Sequence, residues 1–311
     1  MIHLVSLNPA LDLTFRVKKD RENKIGTIDN SNLEAGGKAL NLSRFFSRMG
    51  VPSTTWLGTG GGEDPTHLLY RALLKRERLQ ARFLSQKAPI RFNLVLEKDG
   101  KAEKFNHPGF ELDLTSFGQL YRSVGRKDLL VLTGRLPQGM NPALYGSWVK
   151  AFCHKDVRVA VDTSGKPLEW ALKTAPWFFK VNLYELSETL KIKVTSLAQV
   201  PRILKSRFLP HGLIHGAVTD GPKGAIVWEN SLVYSVRPPK VRTQKLVVGA
   251  GDAFLAGYLA ACNQGKDLKG RARWACAAGT VVASNGIMGF KVKDMTRNVK
   301  RVKVEKVKRE L

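Results

Sequence analysis

The segment from Ala253 to Cys262, Ala-Phe-Leu-Ala-Gly-Tyr-Leu-Ala-Ala-Cys, carries no charged side chain and is apolar on every helical face. A helix of that kind is stable only where protein covers it on all sides. Directly before it stands Gly249-Ala250-Gly251-Asp252, so the buried helix is entered through a glycine turn and begins on a carboxylate. Elsewhere, short β-rich runs alternate with amphipathic stretches, the pattern of an α/β sheet with helices packed on it. The strand candidates are Ile2–Leu7, Leu129–Leu132, Val157–Val161, Phe178–Val181 and Leu213–Val218. Several end in small or polar residues: Asn8, Thr133-Gly134, Asp162, Asn182 and Thr219. Ligands in open α/β sheets collect beyond the carboxyl ends of the strands, so a site is expected there.

Lys38–Met49 follows Gly36-Gly37, sets Leu42, Phe45, Phe46 and Met49 on one face, and stops at Gly50, which predicts a second helix. Ala225–Trp228 and Leu232–Val236 flank Glu229-Asn230 as a hairpin would. Asp12–Leu33 and Ile90–Asn106 lack helical period and suit a small antiparallel flap outside the main sheet. At 311 residues, the chain has room for one large α/β domain or two ordinary ones.

Charge is the unusual feature of the composition: 51 Lys and Arg against 26 Asp and Glu, a formal +25. The segment 291–311 holds nine of the cations and three of the acids, so the excess is spread through the body. Such a field favours anionic ligands and says nothing about fold. The aromatics do not interleave with the basic residues as stacking platforms do, which argues against nucleic acid as a partner. The basic end after Phe290 reads as a solvated helix or tail. No apolar run reaches the ~20 residues of a membrane span, and the start of the chain has no secretory pattern. The three cysteines, Cys153, Cys262 and Cys276, are far apart and fit small thiols in a reducing compartment, with the cytoplasm as default.

Four segments carry chemistry. In Val247-Val248-Gly249-Ala250-Gly251-Asp252, a strand is expected to lead into a turn whose N–H groups converge on an anion at a helix start. Asp252 beside that hole can take a proton from an attacking hydroxyl, or can simply cap its helix. In Glu34-Ala-Gly36-Gly37-Lys38-Ala-Leu-Asn41, a lysine at a helix N-terminus opposes the dipole unless it faces an anion. Asn182-Leu-Tyr-Glu185, after a strand, can orient water on Mg²⁺, an ion held mostly through substrate phosphates. Thr219-Asp-Gly221-Pro-Lys-Gly224 is a glycine loop able to meet a nucleotide, or a generic turn. His211 and His215 lack a third ligand and do not make a zinc site.

In this order the four segments resemble the PfkB, or ribokinase-like, carbohydrate kinases over about residues 1–290. Asn8-Pro-Ala-Leu-Asp12, Gly36-Gly37-Lys38-x-x-Asn41 and Ile90-Arg91-Phe92-Asn93 look most like the 1-phosphofructokinase and tagatose-6-phosphate kinase branch. The resemblance implies a Rossmann-like three-layer α/β/α sandwich with a β-stranded lid, often a dimer through the lids, with ATP as co-substrate and Mg²⁺ as cofactor. It implies transfer to a sugar monophosphate of the fructose 1-phosphate, tagatose 6-phosphate or fructose 6-phosphate class. By that resemblance Asp252 is the catalytic base and Gly249, Ala250 and Gly251 form the anion hole. Asp12, Gly37, Asn41 and Asn93 would meet the sugar, while Lys38 and Arg91, with Arg135 as a further clamp, would hold its phosphate. Glu185 and Asn182 would support Mg²⁺, and Thr219, Gly221 and Gly224 would line ATP. The chain departs from the branch at Leu246-Val247-Val248, Val181, Arg135, Asn106-His-Pro-Gly109 and Gly60-Gly-Gly-Glu-Asp64-Pro65, mostly on the sugar side. Two other readings remain: a kinase of an unphosphorylated sugar or nucleoside, and a weakly catalytic polyanion-binding regulator on the same fold.

Overall fold

In the computed structural model of the chain, all five strand candidates form strands, and all five run parallel. The described residues are 1–18, 27–85, 87–98, 101–114, 116–243 and 248–307. The chain opens with β1 (Ile2–Ser6), crosses into β2 (Ala10–Lys18) and β3 (Thr27–Gly36), and returns through helix α1 (Lys38–Met49) to β4 (Ser53–Leu57). Helix α2 (Pro65–Arg76) leads to the short β5 (Ala81–Phe83), then β6 (Arg91–Lys98) and β7 (Lys101–Asn106). Alternating units follow: α3 (Phe117–Ser123), β8 (Leu129–Thr133), α4 (Leu144–His154), β9 (Arg158–Asp162), α5 (Lys166–Leu172), β10 (Phe178–Asn182), α6 (Leu183–Leu190), α7 (Val200–Ile203) and β11 (His215–Thr219). The chain closes with the hairpin β12 (Ala225–Glu229) and β13 (Leu232–Arg237), helices α8 (Ala250–Asn263), α9 (Leu268–Asn285) and α10 (Val292–Arg301), and β14 (Lys303–Lys306).

The main sheet has ten strands in the order β14-β13-β12-β11-β10-β9-β8-β1-β4-β5. Its parallel part is apolar on both faces, as a sheet covered by two helix layers must be. Successive residues point to opposite sides: Leu129 and Val131 of β8 join a core with α1, α2, α8, α9 and α10, whereas Leu130 and Leu132 join one with α3 to α7. The result is a three-layer α/β/α sandwich. Helix α8 lies in the first layer with ten of its fourteen residues buried, which is where its uniformly apolar sequence can be satisfied.

A second sheet, β3-β2-β6-β7, carries the two stretches expected to form a flap. It is not wholly antiparallel. Strands β2 and β6 at its centre are parallel, pairing Asp12 with Asn93, because the chain passes back through the main sheet between them. Part of the first stretch, residues 19–26, lies outside the described residues.

The basic end differs from the solvated helix or tail expected of it. Helix α10 buries Met295, Val302 is also buried, and β14 pairs antiparallel with β13 to extend the main sheet. Among the described residues, its lysines, its arginines and Val292 are solvent-exposed, but the segment is anchored. Of its apolar residues, Met295, Val299, Val302 and Val304 pack on the core shared with α8.

Candidate active site

The carboxyl ends of β8, β9, β10 and β11 bring Thr133, Asp162, Asn182 and Thr219 to one edge of the main sheet. Over that edge the N-termini of α1 and α8 converge. Helix α8 is entered through its cap residue Gly249, whose φ of 80° is the left-handed conformation that favours glycine. Among the described residues no side chain caps α8, so the N–H groups of its first turn can be offered to an anion. The strand expected before this turn falls on Leu246 and Val247, outside the described residues, and Val248 is exposed.

Asp252 is buried at the third position of α8. Its Oδ2 accepts from Asn41 Nδ2 at 2.8 Å. The capping alternative is therefore not the one adopted: Gly249 occupies the cap, and the Asp252 side chain turns to α1. Burial raises the pKa of Asp252, and Asp162 adds to the rise, while Lys38, Lys180 and the Asn41 hydrogen bond oppose it. A buried carboxylate with a raised pKa beside unfilled N–H groups has the attributes of a general base.

Two residues that the sequence reading did not single out as functional complete this centre. Asp162 is fully buried, and its Oδ1 receives Lys180 Nζ at 3.1 Å and Lys38 Nζ at 3.2 Å. Lys180 is itself buried, and a Cβ added to Gly251 would stand 3.2 Å from its Nζ, so the ammonium lies against the α8 turn. The signal was in the sequence: a lysine inside the apolar run Phe178-Phe-Lys-Val181 needs a buried partner. Burial alone would depress the Lys38 pKa, but Asp162, Asp252 and Glu185 together push it up, so it stays charged.

On the lid side, Asn93 Nδ2 donates to Asp12 Oδ1 at 2.7 Å. Arg91 donates to Asn93 Oδ1 at 2.9 Å and to the carbonyls of Asn8 and His107, with Arg135 close enough to add a like charge. Burial raises the Asp12 pKa, against the hydrogen bond from Asn93 and the charges of Lys104 and Arg91. Of the cations expected to share the substrate's phosphate, Arg91 lies near Asp12 with Arg135 beside it, whereas Lys38 pairs with Asp162 alongside Lys180, near Asp252.

Asn182 and Glu185 form a reciprocal cap on α6. Asn182 Oδ1 accepts from the Glu185 N–H at 2.8 Å, and Glu185 Oε2 accepts from the Asn182 N–H at 2.9 Å. Thr219 donates to the Val181 carbonyl at 3.3 Å, at the entry to the loop 220–224 that joins β11 to β12. Within that loop Gly224 has φ 105°, and a Cβ there would stand 1.9 Å from the Val236 carbonyl oxygen, so only glycine fits. Gly37 is the cap of α1, and its carbonyl accepts from the N–H groups of Leu40 and Asn41. His215 is buried and bonded to the Tyr258 hydroxyl rather than poised with His211, which is exposed. Among the described residues no group of three His, Cys, Asp or Glu is placed to hold a metal.

Residues 2–291 match the pfkB family carbohydrate kinases. A 1-phosphofructokinase of Bacillus subtilis is 30% identical over 93% of this chain and 94% of its own. A 1-phosphofructokinase of Borreliella burgdorferi is 27% identical over 99% of both. The phosphofructokinase-2 of Escherichia coli in complex with fructose-6-phosphate superposes with a TM-score of 0.85 at 23% identity, over 96% of this chain and 98% of that one.

Proposed function

The chain belongs to the pfkB family of carbohydrate kinases, and from that premise we propose that it transfers the γ-phosphoryl group of ATP to a hydroxyl of a sugar monophosphate. The acceptor is of the fructose 1-phosphate, fructose 6-phosphate or tagatose 6-phosphate class, in keeping with relatives named 1-phosphofructokinase. The observation that carries this reading is the presence of two separate cation groups, Arg91 with Arg135 by Asp12 and Lys38 with Lys180 by Asp252. A sugar monophosphate needs one for the phosphate it brings and another for the phosphate it receives. An unphosphorylated sugar has no use for the Arg91 and Arg135 pair.

In the proposed reaction Asp252 accepts the proton of the acceptor hydroxyl as that oxygen attacks the γ-phosphorus. The bond from phosphorus to the β–γ bridging oxygen breaks, ADP leaves, and the proton remains on Asp252. The N–H groups of Gly249, Ala250 and Gly251 and the Lys180 ammonium receive the charge that spreads over the transferring oxygens. Asp12 and Asn93, joined to each other, hold sugar hydroxyls, with Gly37 and Asn41 beside them. Thr219, Gly221 and Gly224 line the nucleotide.

The donor set suits Mg²⁺ held mainly through phosphates and water. Among the described residues Asp162 Oδ2 is buried without a partner, and Glu185, whose charge reaches Lys38, supplies a second carboxylate, steadied by Asn182. The ion, when bound, would offset the charge of the phosphates. We also propose a homodimer formed through the lids and a cytoplasmic location. Among the described residues no helix is long and apolar enough to cross a membrane, and the three cysteines are unpaired.

The test is ATP consumption measured across sugar monophosphates and the matching free sugars, with Mg²⁺ present. Turnover confined to one or more sugar monophosphates is expected. Preference for a free sugar or a nucleoside would overturn the assignment of Arg91 and Arg135.

A further inference from the structure

A chain of side chains runs from the end of α2 to Asp252. Arg44 of α1 is 4% exposed and grips Glu77, the residue that ends α2, with two parallel bonds: Nε to Oε2 at 2.7 Å and Nη2 to Oε1 at 2.8 Å. Nη2 also donates to the Ala35 carbonyl at 2.6 Å. The remaining nitrogen, Nη1, donates to Asn41 Oδ1 at 3.0 Å. Asn41 in turn gives its Nδ2 to Asp252 Oδ2.

A guanidinium has donors only, so it can face only the oxygen of the Asn41 amide. The amide nitrogen is then forced toward Asp252. Were the amide reversed, its oxygen would meet a carboxylate oxygen and its NH₂ would meet the guanidinium, both repulsive. We infer that Arg44, locked by Glu77, is a positioning residue that fixes the orientation of Asn41, so that Asn41 always presents an N–H to Asp252 Oδ2. One consequence is that Oδ1 is left for the acceptor hydroxyl. Another is that the deprotonated carboxylate gains a donor in a site where burial and Asp162 disfavour it and the charges of Lys38 and Lys180 support it. The fork geometry explains why arginine is used, since a lysine cannot hold Glu77, Ala35 and Asn41 in one plane.

The inference rests on Asp252 as the base, so its test includes a reading that needs no substrate. The carboxyl titration of Asp252 is followed by carbon-detected NMR in the ligand-free protein, for wild type, Arg44→Lys, Asn41→Ala and the double variant. Arg44→Lys is expected to move the Asp252 midpoint up by about one pH unit, the scale of one hydrogen bond to a charged group. Turnover should fall about tenfold, and the acid limb of the rate profile should rise with the midpoint. In the Asn41→Ala background, Arg44→Lys should change neither midpoint nor turnover further, because the path through Asn41 is already gone. An unmoved midpoint, or an equal loss in both backgrounds, overturns the inference and leaves Arg44 as a structural ion pair. If Arg44→Lys does not fold, Glu77→Gln loosens the fork instead, and an unmoved midpoint there overturns it as well. Absence of sugar kinase activity together with a shifted midpoint would count against the proposed function alone.

Discussion

At Asp252 the conflict between burial and charge yields a test that separates catalysis from folding. Its pKa is raised, so the base form is lost on acidification at a higher pH than for an exposed aspartate. Activity limited by this group should fall as pH drops through that raised value. The stability sign is the reverse of the usual acidic case. A carboxyl whose folded pKa lies above its unfolded value favours the fold at low pH and disfavours it as pH rises through the folded pKa. Asp252→Asn removes that penalty and keeps the shape. We expect turnover to drop roughly 10²–10⁴-fold, the range for a positioned general base, with a melting temperature at neutral pH equal to or above wild type. Near wild-type turnover in single-turnover assays would refute the base. The two cation groups are separated by Arg91→Ala and Lys38→Ala. Arg91→Ala should raise KM for the sugar phosphate about 10- to 100-fold, as loss of a charge-assisted contact present before and during transfer does. Lys38 sits on Asp162 within the field of Asp252, so Lys38→Ala should act mainly on kcat. If instead it raises only the sugar-phosphate KM, Lys38 belongs with Arg91.

Elements were legible in the sequence where one residue pattern sufficed. Helix α1 spans the predicted Lys38–Met49, and the strands of the main sheet follow their apolar runs, because burial on both faces leaves an unbroken signal. Convergence was not legible. Asp162 and Lys180 meet only because β9 and β10 are neighbours in a register pairing Phe178 with Ala160, which puts both charged residues at the same height on the same face. No spacing along the chain contains that. The link from Asn41 to Asp252 is equally hidden, since 211 residues separate them. The parallel pairing in the lid depends on chain path, which local alternation does not encode. That alternation does predict the use of the lid. Asp12, Arg91 and Asn93 share the face proposed to meet the sugar, while Leu13, Phe15, Leu94 and Leu96 alternate with them onto the other face, where Phe92 is 42% and Phe105 51% exposed. An exposed apolar face of this kind is what the proposed dimer would cover. Phe92→Glu with Phe105→Glu should convert a dimer to monomers in sedimentation velocity while leaving the melting transition cooperative. A monomeric wild-type protein at micromolar concentration would end the lid-dimer reading.

For the whole molecule, the question is what its basic end contributes. A composition of +25 invites the idea that residues 291–311 serve only as a cationic appendage. Their packing points elsewhere. Met295 and Val302 are 2% and 4% exposed within the same core as α8, Val299 and Val304 pack against it, and β14 protects the edge of β13 over four residue pairs. Burial of a Met or Val side chain stabilises by roughly 1.5–3 kcal/mol, so the two buried residues alone contribute roughly 3–6 kcal/mol. That is comparable to the entire stability of many domains, roughly 5–15 kcal/mol. Deletion of residues 292–311 should therefore abolish a cooperative thermal transition or lower its midpoint by more than 10 °C, and the bared β13 edge should promote aggregation. Activity would fall only through loss of folded protein, since no residue of the proposed site lies in this segment. Replacing the exposed Lys293, Lys300, Lys303 and Lys306 with glutamine isolates charge from packing. Because exposed cations contribute little to stability, this variant should melt within a few degrees of wild type. Equal melting temperatures for the truncated and full-length proteins would show that the fold does not need its last strand, whereas a collapse of the glutamine variant would assign the role to charge.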